Sequence, residues 1–242
     1  MQYQAPSHFL KDKIILVTGA GDGIGKAAAK AYAQHGASVI LLGRTVHKLE
    51  QVYDEIVENN FPEPAIYPLN LEGATPKDYQ DLADTIKENF GRLDGLLHNA
   101  NFLGANTPIQ HYDTELWYKV MQVNLNAPFI MTQALLPLMI DTPDSSIIFT
   151  VDDRSTAYWG AYGISKAALT SFMLILADEM DTDTKVKVNA ISPESVRTGM
   201  RLKAFPGEDP NTLKNPDDIM PTYLYLMSKD CAKTGQIFHT QN

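Results

Sequence analysis

The chain has 242 residues, 44% hydrophobic and 20% charged, enough to bury a sizeable core as one α/β domain. Its 29 acidic and 20 basic residues give a net charge of -9, which argues against nucleic acid or an anionic membrane as the main partner. Cys231 is the lone cysteine, residues 1–12 hold no apolar core like that of a signal peptide, and no uninterrupted apolar stretch nears the roughly 20 residues of a membrane span, so a cytoplasmic protein without a disulfide is expected.

Residues 1–12 read as a loosely held arm. An apolar, β-branched run over 13–18 then meets Gly19-Ala-Gly-Asp-Gly-Ile-Gly25 and the alanine-rich Lys26–Ala31, which predicts a buried strand, a tight turn and a helix that stops at Gly36. Glycines let the backbone approach a ligand closely, and a helix N-terminus offers N–H groups to an anion, so the unit reads as a phosphate cradle. A second strand at 38–43 closes a βαβ unit and favours a dinucleotide over an ordinary strand-to-helix turn. The next helix carries Val52, Ile56 and Val57 at helical spacing; a strand at 65–69 and a helix from Pro76 to Phe90 follow.

Leu93–His98 reads as the fourth strand, with Asn99-Ala100-Asn101 as the turn after it. The apolar spacing over 115–140 predicts one long, mostly buried helix, with Trp117, Met121 and Phe129 in the core. Strands at 146–151, 186–192 and 236–239 alternate with helices at 160–180 and 216–227, while Asp141–Asp144 and Asp178–Asp183 read as solvated loops. The pattern predicts a doubly wound parallel sheet of about seven strands in three layers, a Rossmann fold, as a single domain over 1–242. His98, His111 and His239 lack ligand spacing, and no metal is expected.

Tyr162 and Lys166 lie four residues apart on the helix after the fifth strand, so their side chains share a face beside the ligand crevice of such a sheet. A lysine ammonium near the phenol lowers its pKa and lets Tyr162 exchange a proton near neutral pH. Strand two ends at Gly43-Arg44 with no acid to bond a ribose 2′-hydroxyl, and a guanidinium suits a 2′-phosphate, which favours NADP(H) over NAD(H).

These residues carry a resemblance. Thr18-Gly-Ala-Gly-Asp-Gly-Ile-Gly25 is similar to the T-G-x-x-x-G-x-G loop of the short-chain dehydrogenases/reductases, and Tyr162-Gly-Ile-Ser-Lys166 to their Y-x-x-x-K. His98-Asn99-Ala100, Val123-Asn124 and Ile191-Ser192-Pro193 resemble further segments, and Met200–Pro210 resembles the bacterial YciK-type oxidoreductases more narrowly. The resemblance implies hydride transfer between a nicotinamide dinucleotide and a carbonyl or alcohol, with a homodimer or homotetramer. In it Tyr162 is the acid/base, Lys166 holds the nicotinamide ribose and Asn124 supports a proton relay. Thr18, Gly19, Gly23, Ile24, Gly25, Arg44, Asn70, Leu71, Asn99, Ala100, Pro193, Val196 and Thr198 line the cofactor.

Departures accompany it. Counting back from Tyr162 by the family's spacing puts the serine that bonds the substrate oxygen at Phe149, so the loop is a few residues short. Counting from the strand end puts Asp152 there, with Ser155 further along. Asn101 and Glu194 replace glycines, and Asn70 stands where an aspartate contacts adenine. Two functions stay open: an NADP(H)-dependent carbonyl reductase or alcohol dehydrogenase, and a cofactor-binding or scaffold protein that has lost the chemistry.

Overall fold

The structure, a computed structural model, describes residues 3–240 and contains a parallel sheet of order β3-β2-β1-β4-β5-β6-β7. From β1 (Ile14–Thr18) the chain winds outward through α1 (Gly23–Gln34), β2 (Ser38–Gly43) and α2 (Val46–Glu58) to β3 (Ala65–Pro68). It then returns through α3 (Pro76–Phe90) to β4 (Gly95–His98), on the other side of β1. β5 (Ser146–Thr150), β6 (Lys187–Ser192) and β7 (Ile237–His239) continue in that direction. The reversal between β1 and β4 opens a crevice at the carboxyl ends of the strands, as the doubly wound expectation requires.

Both ends of that seam are pinned. At the amino end the Asp94 carboxylate, only 3% exposed, accepts from Lys13 Nζ at 2.9 Å and from Ile14 N and Arg92 Nε at 3.0 Å. At the carboxyl end the Thr18 hydroxyl donates to the Leu97 carbonyl at 3.2 Å and accepts from Asn99 N at 2.9 Å and Ala100 N at 3.0 Å. Helices cover both faces of the sheet, so β1, β2, β4 and β5 are apolar almost throughout.

The expected helix over 115–140 is broken. It divides into α4 (Thr114–Met121), a π-helical turn (Gln122–Asn126), α5 (Ala127–Leu135) and α6 (Pro137–Ile140). Pro128 has no N–H for the Asn124 carbonyl, and the Ala127 N–H bonds Gln122 instead, which widens one turn. Nor is this segment mostly core: Phe129 is 49% exposed, Trp117 and Met121 are half-buried, and on α2 Val57 is also exposed. Spacing records an apolar face but not what covers it.

Three further expectations change. The arm is held down, with Leu10 buried and the Tyr3 hydroxyl bonding Asp230 at 2.8 Å; its residues 1 and 2 lie outside the described residues. Asp178–Asp183 is no loop but the end of α7 (Gly160–Asp183). That helix is long and apolar enough by length and composition to cross a membrane, yet half of the stretch is buried in the fold. Between Thr198 and Asn215 stands a short helix, α8 (Gly199–Ala204), capped by the Thr198 hydroxyl, and the last helix is a 3₁₀ turn (Pro216–Ile219) followed by α9 (Met220–Met227).

Candidate active site

The glycine turn after β1 is shaped by contact distances. Gly19 and Gly23 take φ of 67° and 52°, where L side chains are strained. A Cβ on Gly25 would stand 2.2 Å from the Gly19 carbonyl oxygen and 2.6 Å from Asn99 Nδ2, so α1 can approach β1 and β4 only as glycine. Asp22 caps α1 through Gly23 N at 2.7 Å and pairs with Lys48 Nζ at 2.5 Å.

From this turn a cleft of about 1030 Å³ runs across the strand ends. Arg44, Lys48, Asn70 and Leu71 line one end of it; Gly19, Gly23, Ile24, Asn99 and Ala100 line the middle; Asp152, Arg154, Trp159 and Tyr162 line the other end. Pro193, Val196 and Thr198 complete the lining. Thr18, Gly25, Asn124 and Lys166 lie behind this wall rather than in it, and Ser155 is exposed to solvent away from it. Arg154, Trp159 and Lys48 were not singled out from sequence as site residues; the only signal for Lys48 was its place four residues after Arg44.

At the Tyr162 end two donors meet on one oxygen. Asp152 Oδ2 accepts from the Tyr162 hydroxyl at 3.3 Å and from Arg154 Nε at 3.0 Å. Burial raises the Tyr162 pKa, Asp152 raises it further by charge and by hydrogen bonding, and Arg154 alone pulls it down. Lys166 does not supply the lowering expected from its spacing. Its ammonium lies 5.7 Å from the Tyr162 ring centroid and donates to the Asn101 side chain and, at 2.8 Å, to the Thr150 carbonyl. Asn124 is equally buried and braces the turn after β4: its carboxamide exchanges bonds with Phe102 N and O at 2.8 and 3.0 Å and donates to Ser165 Oγ at 3.0 Å.

A family model described as short chain dehydrogenase matches residues 13–209. The chain belongs to this family. It is 48% identical to the uncharacterized oxidoreductase YciK of Escherichia coli, over 100% of this chain and 96% of that protein. A short chain dehydrogenase from Shigella flexneri, crystallised with NADP, is 47% identical with a TM-score of 0.95, over 98% of this chain and 100% of that one. An Escherichia coli short chain dehydrogenase crystallised with NADPH is 48% identical with a TM-score of 0.94, over the same shares of the two chains.

Against that family pattern, each replacement has a structural consequence. Glu194 adopts φ 59°, the left-handed conformation that the glycine would take, and its carboxylate meets His239 Nδ1 at 3.2 Å. Asn101, in the other glycine's place, bonds the Asn99 carbonyl at 2.7 Å through Nδ2 and takes the Lys166 ammonium on Oδ1. Asn70 bonds Glu72 N at 3.3 Å. His98 is a core side chain, stacked on Phe149 at 4.8 Å and bonded to Thr132, and the described residues hold no group of three His, Cys, Asp or Glu side chains placed to share a metal ion.

Burial pushes the Lys166 ammonium down to about 7 from 10.5, with Asp152 pulling the other way. Between those two values the unfolded chain binds a proton that the folded chain does not, so the wild type gains stability as pH rises across the window, by up to about 1.4 kcal/mol per unit. Lys166→Met removes this slope. Its stability relative to the wild type is expected to be highest at pH 7 and below and to fall steadily toward pH 10, measured by urea unfolding; parallel curves for the two proteins would show that the buried lysine carries no such cost.

Proposed function

We propose that this short chain dehydrogenase works as a single-domain, NADP(H)-dependent oxidoreductase that moves a hydride between nicotinamide and a carbonyl or alcohol, with Tyr162 as acid/base. One observation carries the reading: the glycine cradle and Tyr162 line the same continuous cleft. The cradle fits a dinucleotide, because its backbone is bare where a pyrophosphate would approach and α1 points its first N–H groups there. Arg44, exposed at the far end with Lys48 beside it, suits a 2′-phosphate, in keeping with the NADP and NADPH of the two relatives.

When bound, NADPH supplies the hydride that forms the new C–H bond at the carbonyl carbon. Tyr162 gives its hydroxyl proton to the carbonyl oxygen as the C=O pair moves onto it, and takes the proton back in the reverse direction. Lys166, now on Asn101 and the Thr150 carbonyl, would hold the nicotinamide ribose through its ammonium. Asn124 holds the Asn99–Phe102 turn against α7, which keeps the cofactor wall and the tyrosine in register.

A second reading, a cofactor-binding protein with weakened chemistry, is favoured by Asp152. A carboxylate where the family has serine cannot donate to a developing oxyanion and raises the Tyr162 pKa, so slow reduction of simple ketones follows from it. The exposed Ser155 is poorly placed to compensate.

Self-association belongs to the same proposal. Phe129 on α5 and Leu174 and Ile175 on α7 are 49%, 46% and 58% exposed, and Phe129 packs edge-on against Phe172 at 5.5 Å, which leaves an apolar face across the two helices for a second copy.

Three measurements test this reading. Arg44→Asp is expected to weaken NADPH binding, followed by fluorescence, much more than NADH binding; equal losses would remove Arg44 from the 2′-phosphate. Tyr162→Phe is expected to lower turnover by roughly 10² to 10⁴ while NADPH still binds, and an active variant would mean that the proton comes from another group. Sedimentation at micromolar concentration is expected to give a dimer or tetramer, and a monomer would leave the α5/α7 face without its proposed role.

A further inference from the structure

Arg154 is built into the wall of the cleft in a way that the reaction itself does not require. Its side chain is 24% exposed. The guanidinium lies over the Trp159 ring at 5.0 Å and near Phe205 at 6.0 Å, and those two rings are 5.7 Å apart, so it rests against an aromatic corner formed by the β5–α7 loop and the end of α8. Asp152 fixes its rotation through Nε at 3.0 Å. No described residue accepts a hydrogen bond from its Nη1 or Nη2, which leaves the end of the fork for a ligand. Glu208 is held below its ordinary pKa chiefly by Arg201 and also by the charge of Arg154, but both of its oxygens bond Arg201, through Nε and Nη2 at 2.6 Å, and Arg201 itself stacks on Phe205 at 3.8 Å.

Position gives this fork its meaning. Arg154 Nε and the Tyr162 hydroxyl meet on the same Asp152 oxygen, so the two donors are separated by no more than about two hydrogen-bond lengths. Both residues line the same end of the cleft, so a short ligand can reach from the fork to the Tyr162 hydroxyl. A planar carboxylate accepts two parallel bonds from the end of a guanidinium, and aromatic walls raise the strength of such a pair by excluding water.

We propose that Arg154 anchors a substrate carboxylate, which makes the substrate a short oxo acid, or in the reverse direction a hydroxy acid, whose carbonyl is adjacent to or one carbon removed from the acid group. This rests on the reading of Tyr162 as acid/base. The anchored charge offsets the Asp152 defect by fixing the carbonyl at Tyr162, where a neutral ketone has only the hydroxyl to hold it.

The test pairs acids with their uncharged esters on the NADPH-loaded protein: pyruvate against methyl pyruvate, and acetoacetate against methyl acetoacetate. For at least one pair the wild type is expected to show kcat/KM higher for the acid by about tenfold or more, the size of one charge-assisted pair. Arg154→Met should collapse that ratio and Arg154→Lys should keep part of it, since the charge remains without the fork. Equal use of acid and ester, a ratio unchanged in Arg154→Met, or a preference for a phosphorylated ketone such as dihydroxyacetone phosphate would overturn the proposal. A binding arm separates its failure from that of the proposed reaction. In a Trp117→Phe background Trp159 reports the site, and oxamate, a carboxylate that is not reduced, is expected to quench it, with the effect lost in Arg154→Met. Quenching without any turnover would keep the anchor and remove the reductase reading; turnover of esters with no oxamate effect would do the reverse.

Discussion

The molecule depends on how closely two turns can meet at the top of the seam between β1 and β4. A buried hydroxyl sets that distance: Thr18 Oγ1 takes the N–H groups of Asn99 and Ala100 and donates to Leu97, so the turn after β4 folds down onto the turn after β1. Once the turns are in contact, Gly25 has no room for a Cβ, and a Cβ on Gly19 would stand 3.1 Å from the Ala100 Cα. The bare backbone of the cradle is thus a consequence of packing as well as a preparation for a ligand. Burial of three polar partners around one hydroxyl also makes the seam intolerant of an apolar replacement, since each would be left unsatisfied.

The same turn passes the constraint on to the buried lysine. Asn101 follows Ala100 directly, and its carboxamide bridges from the Asn99 carbonyl to the Lys166 ammonium, which also reaches the Thr150 carbonyl at the end of β5. The turn after β4 and the end of β5 are therefore tied together through Lys166. The ammonium has two acceptors of its own and lies 5.7 Å from the ring centroid, and the charges that act on the Tyr162 hydroxyl are those of Asp152 and Arg154. Spacing alone, four residues on a helix, could not distinguish a lysine facing the hydroxyl from one lying under the ring.

What the sequence made legible were the features that depend on local pattern: seven strands with their apolar faces, the glycine turn, and the Tyr162–Lys166 pair on one helix. What it hid depends on the path of the chain in space. The apolar period runs straight through 122–126, so the π turn is visible only as the missing N–H of Pro128. Phe129 and Val57 fit the helical stripe yet face outward, because the stripe is wider than the surface that the sheet covers. Arg154 carries no motif or spacing signal; it sits in the β5–α7 loop, which takes φ 74° at Tyr158 just before α7. The residues replacing family glycines show both outcomes, Glu194 accepting the glycine conformation and Asn101 turning its side chain into a structural bond.

These placements also bear on the direction of the proposed chemistry. A phenol that burial and a neighbouring carboxylate hold above its ordinary pKa keeps its proton throughout the neutral range. That is the form a carbonyl reduction consumes, whereas alcohol oxidation begins from the tyrosinate, which this environment disfavours. Two changes would reverse the bias: movement of Asp152 off the hydroxyl, and movement of Lys166 from the Asn101 side toward the hydroxyl. In the proposed reaction a substrate oxygen at the Tyr162 hydroxyl would drive the first, and ribose hydroxyls competing with Asn101 for the ammonium would drive the second. The burial of Tyr162 and the carboxylate of Asp152 beside it thus favour proton donation over proton abstraction in the proposed reaction.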